Sequence, residues 1–107
     1  MAVTELSLVA SPPFAPHQAQ RLARHLQTLG DPTRLQILSA LELVCVPVSA
    51  VVDATGLPQP TVSHHLRILA DRGLVRGARH GTRIYYCLED ARVLDCVRGL
   101  QALVGDR

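Results

Sequence analysis

Apolar residues in the first half of the chain recur every three or four positions, the spacing of one helical face. A first helix is predicted to begin at Pro16, because proline suits the first helical position, and to stop at Gly30. Its apolar stripe consists of Ala19, Leu22, Ala23, Leu26 and Leu29. Asp31 and Pro32 supply an N-cap acceptor and another helix-starting proline, so a second helix is expected to run to about Leu43. Its predicted inward positions are Leu35, Leu38 and Leu41, and its outward positions are Arg34, Gln36 and Ser39.

Two further helices are predicted on either side of a short turn. Residues 48–55 form a short apolar segment that ends at Gly56. Residues 59–72 place Val62, Leu66 and Leu69 on one face, and Gly73 is suited to close that helix. Two helices joined by a short glycine-containing turn are typical of a helix-turn-helix unit.

The rest of the chain predicts a β-hairpin and a last helix. Strand-like segments cover residues 74–78 and 83–88, with residues 79–82 as their linker. The last helix is expected to start near Asp90, and its apolar stripe is Val93, Val97, Leu100 and Val104. Residues 1–15 are predicted to be an amino-terminal arm and residues 16–107 one domain. This mainly α order with a small hairpin, α-α-α-α-β-β-α, is that of a winged helix-turn-helix, which presents a recognition helix to the DNA major groove.

Composition excludes several other classes of protein. The 107 residues are 48% hydrophobic and 19% charged, which suits one globular domain. Three aromatic residues, Phe14, Tyr85 and Tyr86, are too few for a module that stacks single-stranded bases. The longest apolar run is too short for a membrane span. A secretory signal requires a basic residue near its start, and the first basic residue of this sequence is Arg21. A cytoplasmic protein is therefore expected, in which three irregularly spaced cysteines form no disulfide framework.

Positive charge is concentrated in one part of the sequence. The chain carries a formal net charge of only +2, with eleven basic residues, all of them arginine. Residues 59–83 contain five arginines and a single acidic residue, Asp71, and therefore carry +4. Because this stretch includes the predicted recognition helix and the hairpin, the distribution favours a surface that faces phosphate groups.

Several motifs resemble those of a known family. The segment GDPTRLQIL at residues 30–38 resembles the second-helix opening of the ArsR/SmtB family of bacterial metal-sensing repressors. The segment LPQPTVSHHLRIL at residues 57–69 resembles that family's recognition-helix motif. Residues 73–75 and 81–86 are similar to its strand entry and wing. The resemblance extends over about residues 17–104.

This resemblance implies a homodimer built from the first and last helices. Leu22 and Leu26 are expected to meet Val97, Leu100 and Val104 of the partner subunit. A single chain would leave these apolar residues poorly covered, which also favours dimerisation. The two recognition helices of such a dimer would lie roughly 34 Å apart and face a palindromic operator in double-stranded DNA.

The resemblance also assigns candidate DNA contacts on the recognition helix and the wing. Gln59 and Arg67 can form bidentate contacts with base edges, and His64 lies beside them. Thr61 and Ser63 suit phosphate oxygens, because short hydroxyl groups reach the backbone but discriminate bases poorly. The wing is expected to contact phosphate or the minor groove through Arg79, His80 and Arg83.

Pro58 departs from the family pattern. Members often have a serine there, which would cap the recognition helix, and proline cannot. Thr55 or a DNA phosphate at the helix N-terminus could compensate. The fold is expected to survive, with a helix start that is less ordered in the absence of DNA.

Both standard metal sites of the family lack ligands in this chain. The thiolate site requires a Cys-x-Cys pair, but here Cys45 stands alone, with Pro47 and Ser49 at the paired positions. The last-helix site retains Asp90, but a ligand position is occupied by Arg92. The other two ligand positions of this last-helix site are occupied by Leu103 and Asp106.

A different interfacial metal site remains conceivable. Cys96 and Asp95 on the last helix could bind nickel, zinc or a thiophilic ion together with His17 and His25 on the partner's first helix. The alternative is that Cys87 and Cys96 are small buried residues and the histidines are exposed. A redox response requires two thiols within reach, and no pair is close in sequence.

The leading hypothesis is thus a dimeric repressor that a metal ion releases from its operator. The alternative within the family is a regulator without an intrinsic metal sensor, which acts as an activator or through a partner protein. Enzymatic activity is not expected, because the adjacent Ser63 and His64 point about 100° apart on a helix and no phosphate-binding loop is present. A winged helix that binds only protein is the third alternative, and it should show no salt-sensitive DNA binding.

Overall fold

The computed structural model describes residues 11–41 and 44–105 as five helices and three short strands. In chain order these are α1 (Pro16–Leu29), α2 (Pro32–Ser39), β1 (Val46–Pro47), α3 (Val48–Thr55), α4 (Gln59–Asp71), β2 (Val75–His80), β3 (Arg83–Leu88) and α5 (Arg92–Val104). The predicted winged helix-turn-helix order is confirmed. Most of the predicted arm, residues 1–10, lies outside the described residues, so the proposed boundary at residue 16 stays a prediction.

Local capping signals determine where several helices begin and end. The carboxylate of Asp31 accepts a hydrogen bond from the backbone N–H of Arg34 at 3.1 Å, which confirms the predicted N-cap of α2. Gly56 ends α3 in a left-handed conformation with φ 72°, and Gly73 does the same after α4 with φ 75°. At α5, the Asp90 carboxylate accepts a hydrogen bond from the N–H of Arg92, and the helix begins at Arg92, close to the predicted start near Asp90.

Two predictions for α2 are wrong. The helix ends at Ser39 rather than near Leu43, because the N–H groups of Ala40 and Leu41 bond three residues back and tighten the last turn. Leu43 itself lies outside the described residues. Arg34, predicted to point outward, is half-buried. The helix's fully buried residues are Ile37 and Leu38.

The wing belongs to a three-stranded antiparallel sheet in the order β1-β3-β2. Strand β1 was not predicted from the sequence; its residues Val46 and Pro47 pair with Tyr86 and Tyr85 of β3. Arg79 and His80, predicted to lie in the linker, are the last two residues of β2. The turn is therefore only Gly81-Thr82, and Gly81 adopts φ 66°, which glycine tolerates without strain.

The hydrophobic core lies between α2, α3, α4 and the sheet, and α1 and α5 contribute little to it. Its buried members are Ile37, Leu38, Leu41, Val51, Val62, Leu66, Leu69, Leu74, Val75, Tyr86 and Leu88. Thr28 is the one buried residue of α1, and α5 has none. Both terminal helices thus present apolar side chains to solvent in a single chain. No helix in the described ranges is long and apolar enough to cross a membrane.

The structure corrects the prediction for the cysteines. Cys45 and Cys87, 42 positions apart in sequence, are joined by a disulfide bond, and their Cα atoms are 4.2 Å apart. They meet because Cys45 directly precedes β1, whose antiparallel pairing places it opposite Cys87 on β3. Cys87 is fully buried, as one alternative expected, but Cys96 is free and exposed.

The N-cap of α2 should make stability depend on pH in a defined direction. The hydrogen bond from the Arg34 N–H lowers the pKa of Asp31 below its usual 3.8. The carboxylate therefore stabilises the fold above the unfolded-state pKa, and this contribution is lost as the pH falls through the lower folded-state pKa. We expect Asp31→Ala to unfold at a lower temperature than the wild type at pH 7, with the gap shrinking below about pH 4. Thermal denaturation followed by circular dichroism measures the unfolding temperatures. Asp31→Asn keeps a capping oxygen, so its unfolding temperature should fall less at pH 7. An equal fall in both variants would contradict the capping role.

Candidate nucleic-acid interface

The recognition helix α4 separates a buried face from a polar face. Val62, Leu66 and Leu69 have no exposed surface and fix the helix against the core. Of the predicted DNA contacts, Gln59, His64 and Arg67 are exposed, whereas Thr61 and Ser63 are half-buried. The predicted contact residues of α4 thus all retain some accessible surface.

Three of these side chains form a row along α4. Gln59 Nε2 donates to Ser63 Oγ at 3.2 Å, and Arg67 Nε donates to the Ser63 carbonyl at 3.4 Å. The spacing of four residues places them on one line of the helix surface. This row, which we call the α4 row, combines amide, hydroxyl and guanidinium groups suited to base edges and phosphate.

The wing places its predicted contacts at the end of the hairpin. Arg79, His80 and Arg83 are all exposed, and His80 lies directly opposite Arg83 in the β2–β3 register. The His80 ring meets the edge of Tyr85, with ring centroids 5.3 Å apart and planes at 89°. Two arginines and a histidine therefore lie at the end of the hairpin, where the β2–β3 backbone pairing holds the main chain in place.

A cleft joins the α4 row to the wing. It has a volume of about 330 Å³ and is lined by Pro47, Val48, Ser49, Gln59, Ser63, Thr82, Arg83 and Ile84. The structure thus brings Gln59 and Ser63 of α4 together with Arg83 of the wing. Sequence reasoning missed Ser49 and Thr82, because their place in the cleft depends on how β1 and the hairpin pack.

The start of α4 carries no side-chain cap. Thr55, suggested from the sequence as a substitute, instead donates to the Val51 carbonyl at 2.7 Å and accepts from the Leu57 N–H at 3.3 Å. Its hydroxyl therefore stabilises the turn between α3 and α4 rather than the helix N-terminus. The uncapped first turn suits a phosphate oxygen.

A polar cluster behind α4, which the sequence analysis missed, ties the recognition helix to α1 and α2. Arg34 Nε donates to His65 Nδ1, and its Nη1 donates to the Thr28 carbonyl, both at 3.2 Å. Arg72 Nη1 donates to Thr28 Oγ1 at 3.4 Å. Arg34 thus fixes the position of the neighbouring His65 ring.

Removing the Arg34 side chain should loosen the attachment of α4. We expect Arg34→Ala to lower the free energy of unfolding by about 1–2 kcal/mol, because His65 Nδ1 and the Thr28 carbonyl both lose a charged donor. Urea denaturation measures this difference. Exposed Arg98→Ala is the matched control, and its stability should stay within about 0.5 kcal/mol of the wild type. Equal stability of the two variants would contradict the role of Arg34.

A separate apolar groove lies between α1 and α5. It has a volume of about 470 Å³, and its lining residues are Leu26, Leu29, Gly30, Leu35, Cys96, Val97, Leu100, Gln101 and Val104. The predicted interface residues Leu22, Leu26, Leu100 and Val104 are 44%, 55%, 58% and 66% exposed, and Val97 is half-buried. The residues expected to meet a partner subunit are therefore accessible on one chain.

The family's last-helix metal site does not fit these residues. Arg92 forms a bidentate ion pair with Asp90: its Nε donates to Oδ1 at 3.1 Å, and its Nη2 donates to Oδ2 at 2.6 Å. Hydrogen bonds from the Arg92 side chain and backbone lower the pKa of Asp90 to about 2. The one retained ligand is thus occupied by a cation. Cys45, the remaining thiol of the other standard site, is bonded to Cys87.

The other candidate ligands are dispersed within one chain. Cys96 lines the apolar groove, whereas His25 lines a different pocket and its Nδ1 bonds to the Arg21 carbonyl at 2.9 Å. His17 is exposed near the start of α1, and Asp95 is exposed in the first turn of α5. Within the part of the chain that the structure describes, no three His, Cys, Asp or Glu side chains are grouped to hold a metal ion.

Comparison with known proteins gives concordant matches. A family profile described as a helix-turn-helix domain matches residues 29–78. The chain is 42% identical over 83 residues to the HTH-type transcriptional regulator NmtR of Mycobacterium tuberculosis, covering 78% of this chain and 69% of that protein. It is 38% identical over 81 residues to the transcriptional repressor SmtB homolog of a Synechocystis species, covering 76% of this chain and 61% of that protein.

The fold is similar to solved structures as well. The homodimeric winged helix-turn-helix DNA-binding domain Mb0332 from Mycobacterium bovis superposes with a TM-score of 0.70 at 32% identity. The match covers 85% of this chain and 87% of that one. Sequence and structure comparisons therefore agree on the type of fold.

Proposed function

The chain belongs to the ArsR/SmtB family of winged helix-turn-helix transcriptional regulators, and we propose that it is a dimeric repressor that binds a palindromic operator. Its relatives are DNA-binding regulators of transcription and not enzymes. The α4 row is the observation that carries this proposal, because exposed Gln59 and Arg67 project from a helix whose opposite face is fully buried.

Each contact residue has a distinct role in this proposal. Gln59, His64 and Arg67 face base edges in the major groove, and Thr61 and Ser63 face phosphate oxygens. Arg79, His80 and Arg83 on the wing contact the flanking backbone or minor groove. The cleft between the α4 row and the wing accommodates the DNA backbone that passes between the two elements.

The second part of the proposal is dimerisation through α1 and α5. The two helices expose Leu22, Leu26, Leu100 and Val104, and a second copy of the chain would cover this apolar surface. A two-fold axis also places two recognition helices on successive major grooves, as a palindromic operator requires.

Arg67 provides the direct test of operator binding. We expect Arg67→Ala to lose roughly 1–3 kcal/mol of specific affinity and to lose little on a scrambled duplex. Fluorescence anisotropy with the DNA upstream of the protein's own gene measures both affinities at fixed salt. Arg98→Ala, an exposed arginine on α5, is the control and should bind as the wild type does. Unchanged operator affinity in Arg67→Ala would overturn the assignment of α4 as the reading helix.

For the signal, we propose a metal ion at the subunit interface, bound by Cys96 and Asp95 with His17 and His25 of the partner subunit. The exposed Cys96 thiol in the apolar groove supports this site, because the partner's α1 would pack there. Equilibrium dialysis with zinc or nickel should then find fewer ions bound to the Cys96→Ser dimer than to the wild type. Operator binding indifferent to every ion would instead support the alternative, a regulator that receives its signal from a partner protein or acts as an activator.

A further inference from the structure

Cys45 and Cys87 connect the two DNA-binding elements of the fold. Cys45 directly precedes β1, which leads into α3 at Val48, and Cys87 lies on β3 of the wing. Core packing by Tyr86 and Leu88 of β3 and a β1–β3 ladder of two residue pairs also hold the wing against the helix-turn-helix unit. The disulfide adds a covalent bond at the end of that short ladder.

The two sulfur atoms have unequal surroundings. Cys87 has no exposed surface, whereas Cys45 is half-buried and can be reached from solvent. Arg76 Nη2 donates to Cys87 Sγ at 3.4 Å, and Arg76 Nη1 also pairs with Glu89 at 3.3 Å. The pair thus combines an accessible sulfur with a buried, cation-contacted one.

We propose that Cys45 and Cys87 are a reversible oxidation site through which a hydroperoxide controls the attachment of the wing. The Cys45 thiolate attacks a peroxide oxygen and breaks the O–O bond, which leaves a sulfenic acid on Cys45; the departing alkoxide or hydroxide takes a proton from solvent and leaves as alcohol or water. The Cys87 thiolate then attacks the Cys45 sulfur and breaks its S–O bond, which forms the disulfide; the departing hydroxide takes a proton from solvent and leaves as water. A cellular dithiol reverses the reaction by two thiol–disulfide exchanges and becomes oxidised itself.

The effect on DNA rests on the proposed function. In the disulfide form, the cleft shared by α3, α4 and the wing is already assembled. The entropic cost of ordering the wing on operator binding is therefore lower for the oxidised protein. We expect reduction to weaken operator binding by about tenfold, which corresponds to about 1.4 kcal/mol.

The chemistry is tested first, without DNA. Full-length protein is reduced with a dithiol, freed of it, treated with one equivalent of hydrogen peroxide, alkylated and mapped by mass spectrometry. The chain has three cysteines, and we expect the alkylated thiols to fall from three to one, with Cys96 as the remaining thiol. In the Cys45→Ser variant, the two remaining thiols, Cys87 and Cys96, should both stay reduced. Wild-type protein in which Cys45 and Cys87 stay alkylatable, or accumulate sulfinic acid instead of the disulfide, overturns the proposal.

Operator affinity is then measured for both redox forms by fluorescence anisotropy. The wild type should bind about tenfold more tightly when oxidised, whereas Cys45→Ser and Cys87→Ala should bind equally in both conditions, with the weaker affinity. Circular dichroism confirms that the variants are folded. Equal or weaker binding by the oxidised wild type contradicts the proposed control. Absence of operator binding in both forms contradicts the proposed function instead, and the alkylation result still decides the oxidation site.

Discussion

Replacing Leu100 with aspartate should convert the protein to a monomer and weaken operator binding by at least about 100-fold. Leu100 is 58% exposed on a single chain and lines the apolar groove between α1 and α5. A two-fold interface would bury the new carboxylate twice, and each unpaired buried charge costs several kcal/mol. A loss of about 2.7 kcal/mol already corresponds to the hundredfold change. Sedimentation velocity measures the oligomeric state, and anisotropy measures operator affinity.

The same helix offers the control for this experiment. Arg98 is exposed and lies two residues from Leu100, about 200° around α5 and therefore on its opposite face. Arg98→Asp introduces the same carboxylate away from the groove and should leave the dimer intact. If the Leu100→Asp protein still sediments as a dimer, the subunits associate through another surface.

The second large effect is expected in the core beneath the recognition helix. Leu66 has no exposed surface and packs in the main hydrophobic cluster. Leu66→Ala should lower the free energy of unfolding by about 2–5 kcal/mol, through lost apolar burial and the cavity that remains. The total free energy of unfolding of a native domain is about 5–15 kcal/mol, so the folded population of Leu66→Ala should fall measurably at 37 °C.

Urea denaturation at one fixed protein concentration measures the change, because the stability of the proposed dimer would depend on concentration. Val44→Ala removes two methyl groups from a side chain that is 72% exposed, and it should change stability by less than about 0.5 kcal/mol. Similar losses in both variants would mean that Leu66 does not anchor α4 to the core.

The sequence predicts best those features that short-range chemistry controls. The Asp31 cap, the left-handed glycines at positions 56 and 73 and the buried stripe of α4 all depend on residues within one or two helical turns. The wing follows from Gly81 and from the β-forming residues Ile84, Tyr85 and Tyr86 after it. The exposure of Gln59 and Arg67 on α4 follows from the same helical periodicity, whereas their DNA contacts stay a prediction.

Features that depend on distant parts of the chain were missed. Strand β1 has two residues, one of them proline, and exists only because β3 pairs with it. Without β1, nothing in the sequence indicates that Cys45 lies opposite Cys87. Arg34 was predicted to be outward because helical periodicity carries no information about His65, which is 31 residues away and docks beside it.

If the chain pairs through α1 and α5 as proposed, operator occupancy depends steeply on the amount of protein in the cell. At low abundance the population of such pairs would follow the square of the chain concentration. Halving the expression level then reduces the pairs available to the operator by about fourfold. A modest change in gene dosage, or dilution during growth, would therefore change the occupancy of the target promoter more than proportionally.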